Sequence, residues 1–266
     1  MASKSIGWTQ EKLKRYLKEG RGRGAGSQYI PWTKTHEFSS IGRATRLYGL
    51  KTNRIHHLHS DNQLRAFLIF EWSDDVIDIR ESYPLLDVLE TIDERDDLRF
   101  DKFRDKETNE QLVLTTNFLL TLKDKYGGET YVARAVKNTS ELNKKITFEK
   151  LEIERRYWEA KGVDWKIITE KQLPKVVANN IVWVRETLID NDDTLNKVGL
   201  STLLNRYLYE NDMYPLKEVL KLFEKDQGLK KGTGLFLFRY LIAKKDIRVN
   251  MTKAIDLSFI LQDLLL

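Results

Sequence analysis

Leu64, Phe67, Leu68 and the Glu71-Trp72 pair recur at helical spacing behind Ser60-Asp61-Asn62-Gln63, which predicts a helix opening at Ser60. The leading quartet has the capping-box form, in which the side chain at the fourth position reaches back to the cap amide. Earlier, TQEKLKRYLKE (9–19) predicts a short basic amphipathic helix with Thr9 as its N-cap. Pro31-Trp32 and Ser39-Ser40-Ile41-Gly42-Arg43 read as ordered loops. Residues 87–110 are acidic and broken in pattern, which predicts a surface excursion. Two strand patterns come next, 113–122 and 130–136, the second with clear alternation. Residues 123–129, with Gly127-Gly128, join them as a hairpin loop. A long charged helix over 141–161 and a buried strand over 165–169 complete the order strand, strand, helix, strand. That order predicts an α/β (α+β) unit in which a mixed sheet is flanked by helices.

Past Pro174 the pattern changes. Residues 176–225 carry apolar positions at helical spacing (Val182, Leu188; Leu200, Leu203, Leu204, Tyr207) and no strand run of comparable quality. Residues 232–249 predict a helix followed by a short strand. A boundary near 168–176 divides the chain into residues 1–170 and a mainly helical, winged-helix-like second domain, 171–266. No internal repeat or low-complexity tract is present.

Composition narrows the class. The 266 residues are 41% hydrophobic and 32% charged, as in a globular protein of one or two domains. With no cysteine, a disulfide framework and a thiolate zinc site are excluded, and a reducing cytoplasm is the expected location. No apolar run is long enough to span a bilayer and the amino terminus lacks a signal-peptide core, so no membrane association is expected.

Charge is unevenly placed. Lys+Arg 45 against Asp+Glu 40 gives +5, yet residues 1–59 hold 12 Lys/Arg against Glu11, Glu19 and Glu37, a local +9 that leaves −4 for the rest. A basic arm on a mildly acidic body suits a polyanion, most simply nucleic acid, although a solvated basic surface has the same composition. Gly20-Arg21-Gly22-Arg23-Gly24-Ala25-Gly26 reads as a flexible cationic segment able to follow a phosphate backbone. Arg21, Arg23, Arg43, Arg46, Lys51 and Arg54 are the candidates for DNA backbone contact.

The chemistry-bearing candidates are Gln63, Asn117 and Lys137. Metal-dependent cutting of a phosphodiester needs oxygen ligands around Mg2+ and a cation beside the attacked phosphate. A common layout places one acid on a helix, a second on a strand, and an acid-x-Lys pair on the neighbouring strand, where side chains two apart share a face. Gln63 opens the predicted helix, Asn117 lies on the first strand, and Ala135 and Lys137 share a face of the second. The spacing fits that layout and the charges do not, because both acid positions carry amides. Each residue also has a plain structural reading: Gln63 as part of the capping box, Asn117 as a strand-end polar group, Lys137 as a solvated strand terminus. Histidines 36, 56, 57 and 59 suggest zinc, but no suitably spaced carboxylate or cysteine joins them, and adjacent histidines on an extended segment point to opposite faces. Glu154 fits solvated pairing with Lys145, Lys150, Arg155 or Arg156, with a secondary acid facing the site as the alternative, and Trp158 and Trp165 fit the core more than base stacking.

Several long stretches resemble the TnsA family, the endonuclease subunit of heteromeric transposases of the Tn-seven type. They are KEGRGRGAGSQYIPW (18–32), SSIGRATRLYGLKTNRIHHLHSD (39–61), FEWSDDVIDIRESYPLL (70–86), TNFLL (116–120) and FEKLEIERRYW (148–158). The resemblance implies a restriction-endonuclease-like fold, Mg2+-dependent nicking at the 5′ ends of the transposon, and double-stranded transposon-end DNA as substrate. It implies as partners a TnsB-type DDE transposase and a TnsC-type ATPase regulator. The family's helix glutamate falls on Gln63, its strand aspartate on Asn117, and its Gln-x-Lys pair on Ala135 and Lys137. Gln63 and Asn117 are thus the metal-ligand positions, with the carbonyl of Val136 as a third. Since both acids are replaced by isosteric amides, Mg2+ binding is expected to be weak or absent and this copy is expected not to cut. A second expectation is a bridging role between DNA and the two partners.

Overall fold

A computed structural model describes residues 7–37, 43–190 and 195–266. Thr9 caps the first helix as expected: its hydroxyl accepts the Lys12 N–H at 3.2 Å, and α1 runs Gln10–Lys18. The glycine-arginine segment behind it is a folded loop rather than a flexible linker. Gly22 N–H donates to Ile30 O at 2.7 Å, and Gly26 N–H to the Asp78 carboxylate at 3.2 Å. At Gly22 (φ +77°) a Cβ would meet the Pro84 ring at 2.3 Å, so glycine there permits both the turn and the close approach. Trp32 is buried and its N–H donates to Ser82 O. Residues 39–42 of the second expected loop lie outside the described residues.

β1 (Thr45–Gly49) and β2 (Arg54–Leu58) form an antiparallel hairpin that the pattern did not predict. Ser60 then caps α2 (Asp61–Trp72) by accepting the Gln63 N–H at 3.2 Å. β3 (Val76–Pro84) was also missed. A register shift between Val76 and Asp78 and a positive φ at Ser82 (49°) disturb its alternation, and Glu81 is buried within it. Residues 87–110 are more than a surface excursion. They hold α3 (Val88–Thr91) and send Ile92, Leu98 and Phe103 into the core.

β4 (Thr115–Lys123) and β5 (Glu129–Lys137) form the expected hairpin, and the Asp124 carboxylate accepts the Tyr126 and Gly128 N–H groups across its turn. α4 (Lys145–Ala160) and β6 (Asp164–Thr169) follow. The sheet order is β3-β4-β5-β6, antiparallel except for the parallel β5–β6 pair. Neighbouring residues of a strand face opposite ways. Phe118 accordingly meets Phe70 of α2 edge-on at 5.4 Å, while Leu119 joins Ala133, Ile153, Tyr157 and Trp158 beneath α4. The mixed sheet therefore lies between flanking helices.

The chain divides into two compact units, Met1–Leu173 and Pro174–Leu266. The second consists of α5 (Lys175–Ile189), α6 (Lys197–Glu210), α7 (Leu216–Asp226), α8 (Thr233–Ala243) and the short α9 (Leu261–Leu264). Its core gathers Ile181, Val184, Leu204, Phe223, Leu237 and Phe238. Gly234 lets α8 approach α7, since a Cβ there would lie 2.8 Å from Leu220 O. Of the expected wing, the described residues show only two isolated bridges, Pro215↔Ile260 and Val249↔Leu265. No helix among the described residues is long and apolar enough to cross a membrane.

Candidate functional site

Gln63 sits in the first turn of α2. Its Oε1 accepts the His59 N–H at 2.8 Å, so the box closes one residue earlier than the pattern predicts. Its neighbour Asn62 is buried, and the Asn62 amide donates to Asn138 Oδ1 at 2.7 Å. That bond fastens the start of α2 to the residue just past the end of β5. Asn117 is fastened there as well. The β4–β5 register ends at Phe118↔Arg134, and Asn117 Oδ1 then accepts the Val136 N–H at 2.7 Å. Lys137 lies in the chain between Val136 and Asn138. Two direct hydrogen bonds thus hold α2 and β4 to the residues on either side of Lys137, gathering positions 63, 117 and 137 at one corner of the sheet.

Lys137 is half-buried. Burial pushes its ammonium pKa down and nearby Lys150 pushes the same way; Glu154 and Glu141 oppose them. No carboxylate among the described residues lies within ion-pair reach of it. Glu154 has other partners: it accepts from Thr116 Oγ1 at 3.0 Å and pairs with Lys150 at 3.2 Å, and Trp158 Nε1 donates to the same Thr116 hydroxyl at 2.7 Å. Pairing with Lys150 was expected, but the carboxylate is buried, not solvated. Trp158 is core, as expected.

The donor set does not suit a hard dication. Each amide oxygen already accepts a main-chain N–H and carries no negative charge, and the NH2 group beside it on Gln63 and Asn117 only donates. Ala135 adds a buried methyl. No group of three or more His, Cys, Asp or Glu that could hold a metal ion is found among the described residues. The residues present do not fit Mg2+.

Half of the expected DNA contacts are internal. The Arg21 guanidinium is buried over the Tyr16 ring and bonds Glu19, both Glu37 oxygens and Trp32 O. Arg54 is buried against Glu81 with two bonds, 2.8 and 2.5 Å, and also reaches Ile79 O and Gly26 O. Lys51 donates to the carbonyls of Ser73 and Val76. Buried charge is costly unless paired, and the sequence offers no local sign of such distant partners. Arg23, Arg43 and Arg46 are exposed.

The histidines serve the same interior. His56 Nδ1 lies 2.8 Å from Glu81 and its Nε2 2.7 Å from Thr52 Oγ1, while the His57 N–H donates to Glu81 at 3.0 Å. Burial alone would raise the Glu81 pKa, but the Arg54 hydrogen bonds and His56 outweigh it and bring the carboxyl down to about 2.

Comparison with known proteins places the chain in a family. Residues 73–170 match the family described as TnsA-like endonuclease N terminal, and residues 172–251 match TnsA endonuclease C terminal. The transposon Tn7 transposition protein TnsA of Escherichia coli is 35% identical over 255 residues, covering 96% of this chain and 91% of that protein.

Proposed function

The chain belongs to the TnsA endonuclease family, and from that premise we propose that it is a transposase endonuclease subunit whose cutting centre is the Gln63–Asn117–Lys137 corner and is silent as it stands. The observation that carries this reading is the pair of amides. In an active centre these two positions would supply the negative charge that draws Mg2+ to the scissile phosphate at the 5′ end of the transposon. Here neither carries charge, and both oxygens already accept a main-chain N–H. Lys137 keeps a cation at the corner for a phosphate oxygen.

The same geometry says what restoration would do. In Asn117→Asp one oxygen keeps the Val136 N–H and the second becomes a free anionic ligand. In Gln63→Glu one oxygen keeps the His59 N–H, at a helix start whose dipole favours a carboxylate. The test is nicking of transposon 5′ ends by the doubly restored protein with a TnsB-type transposase, a TnsC-type ATPase and Mg2+. Recovery of several kcal/mol of charge stabilisation corresponds to a rate gain on the order of 10^3. A restored protein that folds and binds DNA yet stays inactive refutes the site; nicking by the unaltered chain refutes the silence.

The non-cutting bridge is the second reading, favoured by the same amides. A subunit unable to cut still links transposon-end DNA to the transposase and the ATPase. Assembly of that complex by the unaltered chain supports it.

A further inference from the structure

We propose that the β1–β2 hairpin is a DNA-reading ribbon whose outer face, Arg46, Tyr48 and Ile55, enters a groove of the transposon-end duplex. This rests on the DNA-directed function above and adds the surface that holds the substrate.

Cross-strand pairing sets the two faces. Arg46 opposes His57 and Tyr48 opposes Ile55, so these four share one face; Leu47, Gly49, Arg54, His56 and Leu58 share the other. The inner face is locked to the body, with His56 and Leu58 fully buried and Arg54 and His56 bound to Glu81. The outer face is covered at His57, whose Nδ1 accepts the Thr35 N–H at 3.2 Å, and exposed beyond it: Tyr48, whose hydroxyl donates to Asn53 Oδ1, is 45% and Ile55 54% exposed, and Arg46 is exposed beside them. A buried charged network on one side of a short hairpin makes a rigid platform for the other.

Charge selects the partner. Residues 38–60 contain no Asp or Glu, and the exposed Arg43 and Arg46 meet no local carboxylate in sequence. Arg46 beside an aromatic and an aliphatic side chain, with the exposed Arg43 just ahead of the strand, suits phosphates and base edges more than another protein's acidic face. A two-stranded ribbon fits the major groove, and Arg46 and Tyr48, two residues apart on a strand, are separated by roughly two base-pair rises. Chain continuity places this ribbon beside the candidate centre. β2 ends at Leu58, and the next residue, His59, gives its N–H to Gln63.

The test measures binding, with cutting left out, by fluorescence anisotropy of the full chain. It uses one duplex from the transposon end and one scrambled duplex of equal composition. Arg46→Ala is expected to weaken binding to both duplexes about 3- to 10-fold and to lower the slope of log affinity against log salt by about 1. Tyr48→Ala with Ile55→Ala is expected to lower affinity for the end duplex about 10-fold at unchanged salt slope, removing most of its preference over the scrambled duplex. Tyr48→Phe is expected to restore binding. All these side chains are exposed, so the variants should melt with the unaltered protein. End-duplex binding unaffected by the double alanine variant overturns the proposal, as does absence of any duplex binding by the unaltered chain. A double variant that keeps DNA affinity but no longer co-elutes with the transposase also overturns it, by making the face a protein interface. A restored nuclease that still nicks with an altered hairpin would remove this surface while leaving the cutting site standing.

Discussion

Two polar clusters lie on either side of the short segment that links β2 to α2, and they treat charge in opposite ways. At Glu81, a buried carboxylate is met by the Arg54 guanidinium, the His56 ring and the His57 N–H. At the corner of Gln63, Asn117 and Lys137, the two oxygen donors are neutral, each is bound to one main-chain N–H, and the one cation has no ion-pair partner among the described residues. The first cluster keeps full charge because the fold requires it. The second carries no negative charge, and each of its amide oxygens makes a backbone hydrogen bond that a carboxylate could also make. The difference separates charge that holds the protein together from charge that would serve chemistry.

Loss of charge should cost most at Glu81. Glu81→Gln leaves Arg54 buried without its counter-charge and is expected to cost about 3–5 kcal/mol, read as a lowered denaturant midpoint of the unit that contains β3. Acid should act on the same group. The folded pKa is depressed to about 2, so its contribution is complete above the unfolded value and is lost as pH falls from about 4.5 towards 2. Urea titrations between pH 6 and 3 should show that loss in the unaltered protein and a flatter profile in Glu81→Gln. Equal profiles would mean that Arg54 and His56 do not depend on this carboxylate.

The corner should respond to ions and hardly to denaturant. Gln63→Glu with Asn117→Asp keeps both backbone hydrogen bonds and is expected to shift stability by less than about 1 kcal/mol in the absence of metal. Adding Mg2+ at about ten times its dissociation constant should stabilise the restored protein by about 1.4 kcal/mol, a melting-point rise of a few degrees. The unaltered chain should show no Mg2+-specific rise. Equal rises in both proteins would place the ion elsewhere and dissolve the contrast between the clusters.

What the sequence disclosed follows the range of the forces involved. α1 and α2 were legible because caps and helical spacing are local, and the β4–β5 hairpin because Gly127-Gly128 marks its turn. The placement of Gln63 at a helix start and of Asn117 and Lys137 on the two strands of that hairpin was legible for the same reason, since it depends on local elements. β1, β2 and β3 were hidden because their polarity is inverted: Arg54, His56 and Glu81 point inward while Tyr48 and Ile55 point out. That inversion makes sense only once the partners across the fold are known. It also misdirected the basic candidates, since Arg21 and Arg54 look like phosphate ligands until Glu37 and Glu81 are placed beside them. The Asn62–Asn138 bond, which seats α2 on the corner, spans 76 residues and leaves no sequence signal.

Lys137 tests whether the corner's own cation holds the fold together. If Lys137 were a structural cation like Arg54, its removal would cost stability. Burial first, and Lys150 second, lower its folded pKa below the unfolded value, so at neutral pH the fold carries a charge it disfavours. Lys137→Met should therefore be as stable as the unaltered protein or more so, by up to about 1 kcal/mol at pH 7. The sign of the pH dependence follows. The penalty is complete below the folded pKa and disappears as pH rises from there towards the unfolded value near 10.5, so the gain should shrink over that window. Paired denaturation curves of the two proteins between pH 7 and 10.5 provide the measurement. A loss of about 2 kcal/mol or more at pH 7 would make Lys137 a structural partner after all. A neutral or positive change would leave it as a cation maintained against the preference of the fold, as expected for a residue whose partner is a phosphate.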